Sequence, residues 1–64
     1  PITEYINKTR IEKAKEYLIN PGTLAYEVAG LVGYNDPTYF SSIFKKYTGL
    51  SPTEFKHQYR YKRN

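Results

Sequence analysis

A chain of 64 residues with eight Tyr and three Phe but no Cys, Met or Trp is at most one small domain, burying roughly 60% of its unfolded surface. The missing cysteines exclude a disulfide framework and a thiolate metal site, so aromatic rings must fill the core. The net charge of +4 favours a polyanionic partner, while no apolar run approaches the ~20 residues of a membrane span and no signal-peptide pattern occurs.

The first helix is expected from about Thr3 to Ile19, with Thr3 as N-cap and Glu4 beside the positive helix end. Arg10, Ile11, Ala14, Tyr17 and Leu18 form a stripe at helical spacing, with Lys8, Glu12 and Glu16 on the other side. Arg10 reads as structural, its stem beside the apolar stripe and its head capping a neighbouring helix or pairing with an acid. Asn20-Pro21-Gly22 ends the helix, because Pro cannot continue it.

A second helix is expected from about Leu24 to Val32, capped by Thr23, with Leu24, Val28, Ala29 and Val32 facing inward. Gly33 closes it as a residue suited to positive φ. A third helix follows from Pro37 to about Tyr47, with Asp36 as N-cap and Pro at the first position, where no N–H is needed. Gly49 stops it, and a fourth begins after Ser51 with Pro52 in its first turn and runs to about Tyr59. A short helix, a glycine-containing turn and a second helix describe a helix-turn-helix.

In the third helix, Phe40, Ile43, Phe44 and Tyr47 point to the core. The opposite face then carries Thr38, Ser41, Ser42 and Lys45, with Pro37 and Lys46 at its edges and Tyr39 on the boundary. Hydroxyls and lysine can meet base edges in a major groove, and small side chains let the helix sit deep. Thr38, Ser41, Ser42 and Lys45 are therefore candidate base contacts, with Pro37 at the edge of their face. Thr23, Tyr39, Lys46, Ser51, Lys56 and Arg60 are the candidate phosphate contacts, Thr23 and Ser51 because helix starts present N–H groups to an anion. The charge supports this placement: residues 45–64 hold Lys45, Lys46, Lys56, Arg60, Lys62 and Arg63 against Glu54 alone.

Catalysis finds little footing. His57 is the only histidine and reads as a surface residue; no metal site, phosphate loop or cofactor is expected. One internal repeat stands out. Thr3-Glu4-Tyr5 precedes Arg10 as Thr53-Glu54-Phe55 precedes Arg60, an offset of 50 residues. It makes the first helix the closing helix of a previous, similar unit as well. The chain begins at Pro1 rather than Met, which reads as a piece of a longer protein.

Four stretches together resemble the DNA-binding domain of the AraC/XylS family of bacterial transcription regulators. They are Arg10-Ile11-x2-Ala14-x3-Leu18, Val28-Ala29-x3-Gly33-Tyr34-x-Asp36, Tyr39-Phe40-Ser41-x2-Phe44-Lys45 and Gly49-x-Ser51-Pro52-x2-Phe55. The resemblance implies two helix-turn-helix units joined by a long helix, of which this chain holds the second. The expected fold is all-α: residues 1–20 as linking helix, 21–60 as helix-turn-helix unit with closing helix in a small homeodomain-like bundle, and 61–64 as a basic tail. The family's recognition residues fall on Pro37, Thr38, Ser41 and Ser42, with Lys45 beside them. Ser42 stands where many members carry Arg, and Pro37 replaces a usual polar residue, which shifts this unit toward phosphate contacts and shape readout. Double-stranded DNA and RNA polymerase are the expected partners, in the cytoplasm and nucleoid of a bacterium, with any effector bound elsewhere in the protein. Two other readings compete: a protein-interaction module anchored by exposed tyrosines, and a membrane-surface helix, which the mixed charges of the first helix disfavour.

Overall fold

The computed structural model describes residues 1–62, with side chains as far as Tyr59; the expectations placed on Arg60 and on the tail of residues 61–64 concern side chains outside the described residues. Four helices follow in order: α1 (Ile2–Leu18), α2 (Ala25–Leu31), α3 (Pro37–Thr48) and α4 (Pro52–Lys62). Among the described residues there is no strand, and no helix is long and apolar enough to cross a membrane.

The α1 stripe becomes the floor of the core. Asn7, Ile11, Ala14 and Leu18 recur at helical spacing and are all buried. Val28 and Ala29 of α2, Val32 and Tyr34 of the following turn, and Phe40 and Phe44 of α3 close over them. Ala14 and Ala29, both essentially without exposed surface, remove bulk from this layer, and the phenyl rings fill the remaining volume. Phe44 meets Phe55 of α4 edge-on, with ring centroids 5.4 Å apart. Leu24 departs from the expected inward set: half its surface is exposed, because it stands outside the first helical turn of α2.

The helix starts correct two expectations. Thr3 is not a cap; α1 begins at Ile2, and the carbonyl of Pro1 accepts the amide of Tyr5. Thr23 is not a cap either. Leu24 holds that position in extended conformation, and the Glu27 carboxylate accepts its amide at 3.1 Å. Leucine has no acceptor, so only the glutamate half of a capping box forms.

The α2–α3 connection follows the sequence closely. Gly33 takes φ of 100° and donates to Gly30, while Tyr34 donates to Ala29 at 2.8 Å, the paired bonds of a Schellman turn. Asp36 Oδ1 then accepts the Thr38 amide at 2.9 Å, with Pro37 at the first helical position. At the far end, Gly49 adopts φ of 84° and terminates α3. The net result is a rigid α3 whose Phe40–Phe44 side is embedded in the core.

Candidate nucleic-acid interface

Burial of Phe40 and Phe44 fixes the roll of α3 about its axis, and hence what it presents outward. Pro37, Thr38, Ser42 and Lys45 are exposed and Ser41 is half-buried. These five expected base-contact residues share one face. Between Thr38 and Lys45 that face extends about 10 Å at 1.5 Å per residue. The Ser42 hydroxyl donates to the Tyr39 carbonyl at 3.0 Å, which leaves its lone pairs pointing outward as acceptors. Lys46 is exposed beside this face, and Tyr39 flanks it with about half its surface exposed. The ion pairs formed among the described residues, Lys13–Glu16 and Lys15–Glu12, lie on α1. Lys45 and Lys46 therefore extend from the last turn of α3 without a carboxylate bridge.

The expected phosphate contacts are not all brought to this surface. Lys56 reaches the other way: its ammonium donates to the carbonyls of Leu18 and Asn20, at 3.1 and 2.9 Å. Those groups end α1, and orphan carbonyls at a helix C-terminus favour a cation. Lys56 is thus a staple between α4 and α1. Ser51 caps α4 reciprocally: its hydroxyl accepts the Glu54 amide at 3.1 Å and its own amide is accepted by the Glu54 carboxylate at 2.8 Å. The Ser51 amide that donates to it, the Ser51 hydroxyl beside it and the more distant Lys45 charge hold the Glu54 carboxyl below its ordinary range despite its small desolvation. The starts of α2 and α4 each carry a glutamate carboxylate where an incoming phosphate was expected, at Thr23 and at Ser51.

Sequence reasoning missed Asn7 and the role of Tyr34. Asn7 is buried in the α1 stripe, and its Oδ1 accepts the Tyr34 hydroxyl at 2.7 Å. Burial pushes the Tyr34 hydroxyl above the ordinary tyrosine range, with the nearby Arg10 charge opposing. The hydroxyl is accordingly a stable donor. The available signal was periodicity, since Asn7 lies four residues before Ile11. Arg10 is structural, as its position in the stripe suggests, but its partner is aromatic rather than acidic: Cζ lies 5.0 Å from the Tyr34 ring centroid.

A family model described as a helix-turn-helix domain matches residues 1–58. The transcriptional regulatory protein YesN of Bacillus subtilis is 43% identical over 56 residues, which cover 84% of this chain and 15% of that protein. The chain belongs to the AraC/XylS family. The helix-turn-helix regulator YijO of Escherichia coli is similar to the same degree, 43% over 56 residues, covering 88% of this chain and 20% of that protein. The lactose operon transcription activator of Staphylococcus xylosus is 36% identical over 56 residues, again 88% of this chain and 20% of that protein. The chain therefore spans a fifth or less of the length of these AraC/XylS relatives. No solved structure gives a significant match. Membership makes this chain a DNA-binding fragment of a transcription regulator.

Proposed function

We propose that α3 docks in the major groove of double-stranded DNA and that Thr38, Ser41, Ser42 and Lys45 face the base edges, with Pro37 at the groove wall. The observation that carries this reading is the exposed polar face of α3, held opposite a fully buried Phe40–Phe44 ridge. Hydroxyls and one lysine on a helix whose outward side chains are otherwise small match groove contacts. Lys46 and Tyr39 flank the face and reach the phosphates on either side. Ser51 and Thr23 are weaker phosphate contacts, because Glu54 and Glu27 carboxylates neutralise the adjoining helix starts.

In the complete regulator, α1 is the linking helix and its first turns are the closing helix of a preceding unit. The protein works in the bacterial cytoplasm at the nucleoid, without a catalytic step or cofactor in this part, contacting RNA polymerase and sensing its effector elsewhere. An NMR titration of the 64-residue chain with a short random-sequence duplex tests the docking face. Amide shifts at Thr38, Ser41, Ser42 and Lys45 that shrink as salt rises are expected, with affinity near the non-specific range of about 10⁻⁴–10⁻⁶ M. Shifts confined to α1 and α2 would exclude α3 as the docking element.

A further inference from the structure

We propose that Asn7 and Arg10 of α1 are positioning residues for DNA binding, acting through Tyr34 to set where α3 begins. The proposal rests on α3 being the helix that meets DNA. The α2–α3 turn is shaped locally by Gly33 and Asp36, but neither residue determines where the turn sits on α1. Tyr34 does. Its neighbours Asn35 and Asp36 are exposed, whereas Tyr34 is buried and gripped from two sides by α1. Its hydroxyl donates to Asn7 Oδ1 at 2.7 Å. The Arg10 guanidinium covers its ring and also lies against Gly33, where an added Cβ would stand 3.3 Å from Cζ.

The same ring also meets the start of α3. Tyr34 lies 5.9 Å from the Tyr39 ring and 5.5 Å from the Phe40 ring, centroid to centroid. Tyr39 follows Thr38 directly on the first turn of α3. A shift of Tyr34 on α1 therefore moves Thr38 and Tyr39 most and Lys45, two turns farther on, least. Geometry rather than charge is the lever, since packed side chains with discrete arrangements transmit displacement between elements.

The test uses three variants of this chain: Tyr34→Phe, Arg10→Gln and Arg10→Lys. Tyr34→Phe removes only the hydroxyl and leaves net charge unchanged. With each variant shown to be folded by circular dichroism, the expected result has two parts. In the protein without DNA, the amide resonances of Thr38 and Tyr39 move more than that of Lys45. Duplex affinity falls roughly fivefold with no change in the slope of log affinity against log salt, because no phosphate contact is lost. Unmoved α3 resonances and unchanged affinity in folded Tyr34→Phe and Arg10→Gln overturn the proposal. So does a slope reduced by about one in Arg10→Gln and restored in Arg10→Lys, which makes Arg10 a direct phosphate contact. If the unaltered chain binds no duplex, the groove reading fails while the resonances still decide the positioning. If Tyr34→Phe does not fold, Arg10→Gln carries both readouts.

Discussion

Lysines that look alike in the sequence have different work in the structure. Lys45 projects from the outward face of α3, whereas Lys56 ties α4 to the carbonyls that end α1. Lys56→Met is expected to cost about 1–2 kcal/mol, the range for hydrogen bonds to a charged group, measured by urea unfolding. It should leave the salt dependence of DNA binding where it was. Lys46→Met, at the flank that reaches phosphate, is expected to do the reverse, lowering the salt slope by about one with little change in the urea midpoint. The Lys56 partners lie 36 and 38 residues away in the chain, so neither periodicity nor charge clustering reveals them. Lys45 was legible because its place follows from the roll of one helix. Asn7 was hidden for a related reason: a polar residue in an apolar stripe is readable only once its partner, Tyr34, is known to fold over it.

At the scale of elements, the caps separate what local chemistry decides from what it leaves open. Asp36-Pro37 and Gly49 are strong signals, and α3 runs between them, with Thr48 as its last residue. The starts of α1 and α2 were misplaced by one or two residues, because Thr3 and Thr23 are good caps that the chain does not use. Side-chain propensity yields there to the position of each helix on the core. The two positive-φ glycines differ in what surrounds them. Gly33→Ala meets both backbone strain and the Arg10 guanidinium, while Gly49→Ala meets strain in open space. Thermal unfolding should therefore show the larger loss for Gly33→Ala, with Gly49→Ala costing about 1–2 kcal/mol. The Glu54–Ser51 box makes stability depend on pH. Its carboxyl is held below its ordinary unfolded value in the folded chain, so the folded form binds the proton less readily than the unfolded form. The box contributes fully above that unfolded value and is lost as pH falls through the lowered folded one. Glu54→Gln should consequently flatten the acid side of a melting-temperature profile while lowering the plateau at neutral pH.

For the molecule as a whole, the 50-residue repeat gives two equivalent positions very different surroundings. Phe55 is partly buried in the core cluster, edge-on to Phe44 and stacked on Tyr59 at 6.4 Å. Its counterpart Tyr5 is 72% exposed, on the same end of α1 as exposed Ile2 and Ile6. Side chains of this size cluster on the surface where another body covers them. On the proposed arrangement that body is a preceding helix-turn-helix unit, against which Tyr5 takes the place that Phe55 takes here. Tyr5→Ser then has an effect that depends on the length of protein studied. In this 64-residue chain it should change unfolding free energy by less than about 0.5 kcal/mol, as for an ordinary surface substitution. In the complete regulator it should cost about 3 kcal/mol, the scale of an aromatic ring removed from a packed site. Paired urea titrations of the two forms measure the difference directly. Equal and small effects in both would show that the first turns of α1 pack against nothing, and that the repeat does not mark a preceding unit seated on this helix.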